Sequence, residues 1–172
     1  MRGIRTDLVE VFVFRRHRRR TEFLVLKRSA RGSLPQVWQP VTGRLRRGES
    51  VLAGARREVR EETGLEPRRW WALESMTVYF DPRSASVVLL PVLAAEVSIF
   101  ERVRISREHQ DHAFVPARTA ARRFLWIQQR EALDALRREV LAGGRRARAL
   151  EITHLMRAAV RPASPGTRRR AR

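Results

Sequence analysis

The chain has 172 residues and a mass of 20.0 kDa, one domain's worth of protein, able to bury roughly 70% of the surface its unfolded form exposes. It holds no cysteine, which excludes disulfides, thiolate zinc sites, iron–sulfur clusters and cysteine nucleophiles. Against 18 acidic residues stand 37 basic ones, all arginine except Lys27, for a formal net charge of +19; GC-rich codon usage and a polyanionic partner each account for such an excess.

Residues 8–14 and 22–27 are rich in β-branched and aromatic side chains and predict an antiparallel pair, with the run Arg15, Arg16, His17, Arg18, Arg19, Arg20 at its tip. Gly32, Pro35 and Pro40 mark a loop leading to a short strand near Val41, and residues 43–48 read as a turn. Over residues 50–63 apolar side chains recur at Leu52, Ala55 and Val59, and Gly64 stands where a left-handed terminator belongs, so an amphipathic helix is expected. Residues 73–79 and 86–97 predict two further strands turning at Asp81, Pro82 and Arg83, the second apolar enough to be central. A short strand over 112–115 is followed by helices over 117–123 and 128–141, with another over 148–160 after Gly143 and Gly144.

Pro, Gly, Ser and Arg dominate from Pro162 onward, including Arg168, Arg169, Arg170 and Arg172, which predicts a single domain over 1–160 and a disordered tail over 161–172. Neither arginine run interleaves aromatic residues as a base-stacking surface does. The longest apolar stretch, residues 86–99, is broken by Pro91 and Glu96 and falls short of the roughly 20 residues of a membrane span. Residues 1–7 lack the apolar core of a secretory signal, so a soluble cytoplasmic protein with no membrane partner is expected. Strands surrounding one strong helix favour an α+β fold, a mixed sheet with helices on its faces.

The chemistry is concentrated in residues 43–65. Glu58, Glu61 and Glu62 fall at i, i+3 and i+4, so a helix projects three carboxylates from one face. Each like-charged pair costs an isolated helix about 0.2–0.5 kcal/mol. A hard divalent cation removes that cost, and magnesium is held by one or two carboxylates together with substrate phosphates, so a phosphorylated substrate is expected. Arg57 and Glu49 are candidates for a bridge tying the 43–48 loop to the helix, and glycine at 43 lets the backbone approach a metal, its carbonyl a candidate ligand. Lys27 and Arg28, ending the second strand, are candidates for binding phosphates. Trp38 is read either as core packing or as a surface for a base or pterin; Trp70, Trp71 and Trp126 are read as packing, and His109 is assigned no role.

The spacing Gly43, five residues, Glu49, seven residues, Arg57, Glu58, Val59, Arg60, Glu61, Glu62, Thr63, Gly64, Leu65 resembles the Nudix box at every specified position. The resemblance implies a Nudix fold, an α/β/α sandwich, and hydrolysis of a nucleoside diphosphate linked to another group, with magnesium or manganese held by this helix. By that resemblance Gly43, Glu58, Glu61 and Glu62 ligate the metal, and Arg57 joins the catalytic set. More weakly, residues 37–43 and residues 106–116 resemble the branch of dihydroneopterin triphosphate and nucleoside triphosphate pyrophosphatases, although Phe114 stands where members often carry Trp. That similarity adds Glu108 as a further metal ligand. Glu58 and Glu108 are both candidates for the base that deprotonates water.

The expected reaction releases a monophosphate and pyrophosphate from a nucleoside or pterin triphosphate. Dinucleoside polyphosphate cleavage and RNA 5′ pyrophosphate removal are the alternatives, the Trp38 and Gln39 pair also resembling the RNA-processing group. A non-catalytic nucleotide-binding module is the lesser reading. Nucleic acid is a less favoured partner, through the arginine runs, and a homodimer is left open.

Overall fold

A computed structural model describes residues 3–159 other than 19, 32 and 33. The predicted tail over 161–172, and Arg19 of the first arginine run, lie outside the described residues.

Eight strands form one mixed sheet: β1 (Gly3–Arg5), β2 (Leu8–His17), β3 (Arg20–Arg28), β4 (Trp38–Gln39), β5 (Val41–Arg44), β6 (Arg69–Asp81), β7 (Ser86–Val97) and β8 (His109–Pro116). β2 lies at its middle. Along one edge it runs parallel to β7, Glu10 through Arg15 facing Val92 through Val97. Along the other it is antiparallel to β5 near Leu8–Val11 and to β3 near Phe14–His17. β6 closes the sheet beyond β7, β8 lies beyond β3, and β4 pairs through Leu26 and Lys27.

Alternation along β2 sorts its side chains onto two cores. Val9, Val11 and Val13 join Leu24, Leu26 and Val41 under helix α1 (Val51–Thr63), where Ala55 and Val59 are fully buried. Phe12 and Phe14 join Phe23, Val25 and Trp71 under α2 (Ala117–Arg123) and α3 (Ile127–Leu136). Burying Val59 alone contributes about 1.5–3 kcal/mol. The Ser50 hydroxyl accepts from the Ala53 amide at 3.2 Å and caps α1, while Gly64, at φ 70°, ends it by donating to the Arg60 carbonyl.

Glu10 shares the row of Phe12 and Phe14 and is 2% exposed. Thr77 Oγ1 and Gln129 Nε2 donate to its two carboxylate oxygens at 3.0 and 3.1 Å. Burial outweighs those two bonds and holds its pKa above the usual carboxylate range.

The structure departs from the sequence expectations where tertiary pairing overrides local signals. Gly43, expected in a turn, lies inside β5, because the edge of β2 over Leu8–Val11 takes that segment as its partner. β1, three residues long, exists only by pairing with Ser86–Val88. The helix expected over 128–141 is α3 followed by a π-helical turn at Arg137–Leu141. The helix expected over 148–160 is instead two short ones, α4 (Gly144–Ala149) and α5 (Thr153–Ala158). Between them the Leu150 carbonyl accepts from the Ala72 amide at 3.0 Å and the Ile152 amide donates to the Trp70 carbonyl at 2.8 Å, so the chain straightens to cover the open edge of β6. Trp70 and Trp71 are buried as expected, but Trp126, at the N-terminus of α3, is half exposed.

Candidate active site

The last turns of α1 face the ends of β3 and β5 and the loop before β8. Val59 and Thr63 fix the helix to the core, and the Glu62 and Thr63 carbonyls accept from the Ser106 and Arg104 amides. Glu62 is therefore held against the 104–109 loop and is 4% exposed. Burial pushes its pKa up to about 9, with the charges of Glu58, Glu108 and Glu61 adding to the rise and Arg28 opposing it. Its Oε2 is buried without a hydrogen-bond partner.

Glu62 Oε2 lies 3.8 Å from His109 Nε2, yet the two are not an ion pair: burial, then Arg28, press the imidazole pKa down to about 4. Near pH 7 both groups are neutral in the absence of a cation. Both nitrogens of His109 are buried without hydrogen-bond partners. Sequence reading assigns His109 no role; the signal available is its position next to Glu108.

Glu58 lies over Gly43. A Cβ built on Gly43 would come within 2.0 Å of Glu58 Cδ, so glycine here is a matter of space for a carboxylate. Burial raises the Glu58 pKa although Arg57 donates to it.

Arg57 is the organiser of this surface. Nε and Nη2 donate to the two Glu49 oxygens, each at 2.8 Å, Nη1 reaches Glu58 and Glu61 at 2.8 Å, and Nη2 also donates to the Arg44 carbonyl at 2.9 Å. The Glu49 carboxylate also accepts from the Arg46 amide, and these bonds hold its pKa down to about 2, those from Arg57 foremost. Arg57 is held protonated far above its ordinary range. Glu61 is exposed on the outer flank, accepting from both Arg57 and Arg46. Arg46, absent from the sequence expectations, sits at a spacing that gave no signal.

Glu108 is exposed, its backbone fixed by the Ser29 amide and the Ser106 hydroxyl, and its charge is felt at both Glu58 and Glu62. Arg28, ending β3, acts on Glu62 and His109 from the same side. Lys27 alternates to the other face, its Nζ 5.9 Å from the centre of the Trp38 ring. Trp38 packs against the core under α2 and α3, with Arg123 stacked at 4.4 Å. Gln39 pairs with Leu26 of the α1-side core and buries its Nε2 without a partner. The fold thus gathers Gly43, Glu49, Arg57, Glu58, Glu61, Glu62, Glu108 and Arg28, and sets Lys27 and Trp38 on the opposite face of the sheet.

The donors suit a hard divalent cation in kind. They are carboxylates, and one buried Glu62 oxygen has no other partner. Among the described residues, however, no three acidic or imidazole groups already converge as ligands. Glu58 and Glu61 are turned to Arg57, so convergence requires them to exchange guanidinium bonds for the cation.

A family model described as the NUDIX domain matches residues 6–136, which takes in every strand from β2 onward, α1 and most of the second core. The chain belongs to the Nudix hydrolase family. No curated protein matches this Nudix hydrolase in sequence. Among solved structures it is similar to a Listeria monocytogenes Nudix hydrolase described as putative, 25% identical with a TM-score of 0.66, over 80% of this chain and 96% of that one. It is similar in fold to a C. elegans Ap4A hydrolase in a binary complex, 19% identical with a TM-score of 0.69, over 80% and 99%. The E. coli dihydroneopterin triphosphate pyrophosphohydrolase is 17% identical with a TM-score of 0.62, over 81% and 99%. Nudix hydrolases act on nucleotide-type substrates and generally use divalent metals.

Proposed function

We propose that this Nudix hydrolase cleaves a nucleoside or pterin triphosphate to the monophosphate and pyrophosphate, using magnesium or manganese. The observation that carries this reading is the buried, unpartnered Glu62 carboxylate beside Glu58, with Gly43 leaving room for the latter. Without positive charge such a carboxylate is held only at a cost. A cation-bound polyphosphate supplies that charge.

The residues that would hold the cation are Glu58, Glu61, Glu62 and the Gly43 carbonyl, with Glu108 approaching from the loop. When bound, the cation supplies charge against the phosphate oxygens and makes water a competent nucleophile near neutral pH. Arg57 keeps Glu58 and Glu61 on one surface and ties that surface to β5 through the Arg44 carbonyl. Arg28, on the glutamate side of the sheet, is placed to meet a substrate phosphate, and the buried Gln39 amide is a further donor on that side. In the reaction the water oxygen forms a new P–O bond, the bridging P–O bond breaks with its electron pair leaving on the departing phosphate, and the proton passes to Glu58 or Glu108. Trp38, with Arg123 4.4 Å and Lys27 5.9 Å from its ring centre, serves packing in this reading.

The likeness to the dihydroneopterin triphosphate enzyme supports the triphosphate reading, and the Ap4A hydrolase likeness supports a dinucleoside polyphosphate as the alternative. RNA 5′ ends are a second alternative, favoured by the excess of arginine. Mass spectrometry of products from dihydroneopterin triphosphate, deoxynucleotides, diadenosine tetraphosphate and triphosphorylated RNA separates them. Pyrophosphate release from a small triphosphate is the expected result; a preference of more than tenfold for RNA or for the dinucleotide overturns it.

A further inference from the structure

At the end of the sheet away from the glutamates, the fold supplies what the arginine run lacks in sequence, an aromatic neighbour. Gly43 pairs with Val9 at one end of β2, and Arg16 lies seven residues further along the same strand, roughly 23 Å away at the rise of an extended chain. There Arg16, Arg68, Arg69, Glu96, Ser98 and Phe100 line an open groove of about 360 Å³. Phe100 is 86% exposed, the most exposed of the large apolar side chains described.

This phenylalanine is presented by a fixed turn. Glu101 Oε1 accepts from the Ser98 amide at 3.0 Å, its Oε2 accepts from the Glu66 amide at 2.9 Å, and the Ser98 hydroxyl accepts from the Phe100 amide at 3.3 Å. The guanidinium groups beside it are also positioned. Arg16 forms two bonds of 2.7 Å to Glu96, and Arg69 stacks on Trp71 at 4.7 Å while bonding Glu151. Arg68 adds a third, exposed guanidinium, and the hairpin tip continues the positive surface through exposed Arg18 and Arg20. Within the groove three arginines face one carboxylate.

An exposed aromatic ring on a hydrogen-bonded turn, beside guanidinium groups, is the arrangement on which a base stacks while its flanking phosphates are neutralised. We propose that this groove and the β2–β3 hairpin tip form a docking surface for single-stranded nucleic acid, separate from the catalytic carboxylates. A groove of this volume admits about one nucleotide, and the arginines of the hairpin extend the track beyond it. The surface acts on the unpaired strand, because a duplex hides its base faces from Phe100.

The test is fluorescence anisotropy of the full chain with a labelled 12-nucleotide single-stranded RNA carrying a 5′ hydroxyl, in EDTA, over a range of salt. The matching duplex serves as comparison. Phe100→Ala is expected to weaken single-strand binding roughly tenfold with the salt slope unchanged, and to leave duplex binding as it was. Arg68→Ala should flatten the slope by about 0.7 for each phosphate that the guanidinium had neutralised. Arg130→Ala, on the exposed side of α3, should change neither, and hydrolysis of a small nucleotide should be unaffected by all three. The proposal is overturned if Phe100→Ala binds the single strand like the native chain, if duplex binds as tightly as single strand, or if Arg130→Ala costs as much as Arg68→Ala.

Discussion

Replacing Glu62 with Gln separates the two demands placed on this side chain, since it should stabilise the fold while removing activity. Without a divalent cation the carboxyl has a pKa raised by burial to about 9 in the folded chain, against an ordinary 4.5 when unfolded. An acid raised in the folded state takes up protons on folding, so its contribution to stability falls as pH rises from about 4.5 towards 9. At pH 7 the penalty is roughly 3 kcal/mol, from about 1.36 kcal/mol per pH unit. Gln occupies the same volume and carries no charge. In EDTA, urea unfolding at pH 7 should therefore show Glu62→Gln more stable than the native chain by up to that amount, with the gap closing by pH 4. Saturating magnesium should narrow the gap, because binding to the folded state stabilises the native chain alone. Turnover should fall by orders of magnitude in the same variant. Equal stabilities at pH 4 and pH 8 in EDTA would refute the argument, for they would mean that the carboxyl is solvated and has no need of a cation.

Glu10→Gln should remove a second source of alkaline instability: its pKa, raised by burial, makes the native chain lose stability as pH rises above the carboxylate range, and urea titrations at pH 5 and pH 8 should show a smaller difference in the variant. Gly43→Ala should fold normally by circular dichroism yet lose at least tenfold in magnesium-dependent hydrolysis, since the new methyl displaces only the flexible Glu58 side chain. Arg57→Lys forfeits the paired bonds to Glu49, and denaturant unfolding should register a loss of about 1–3 kcal/mol. Because Arg57 holds the Glu49 pKa down to about 2, that interaction's stability is present above about 4.5 and is lost as pH falls towards 2, so the native chain and the variant should converge in acid.

The local features of this Nudix domain were legible in its sequence because local physics decides them. The stripe Leu52, Ala55 and Val59 and the terminator Gly64 set α1 within one residue of the expected 50–63, and α2 spans the expected 117–123. What sequence alone could not show is what depends on partners far along the chain. Nothing near Gly43 says that β2 will claim it as a strand, and nothing near Leu150 says that an open edge of β6 awaits cover. Glu10 was open to a closer reading: both faces of residues 8–14 are apolar, so a strand covered on each side must bury the one acid it contains. In the site, the Glu49–Arg57 bridge follows from spacing, whereas the approach of His109 to Glu62 requires the 104–109 loop to fold back on α1. The separation of Lys27 from Arg28 is period-two alternation, visible once both are placed within β3.

The parallel pairing of β2 with β7 has a consequence for how the molecule is made. Glu10 meets Val92, so β2, flanked early by β3 and β5, lacks its parallel neighbour until residues 86–97 have been synthesised. All three α1 glutamates emerge before the part of their platform that β6 and β7 supply, Trp70, Leu93, Ala95 and Val97. Closing so long a loop is slow compared with winding a helix, so α1 first rests on a bed of β2, β3 and β5 alone. Nascent chains arrested ahead of Ser86 should carry the whole box and yet hydrolyse nothing.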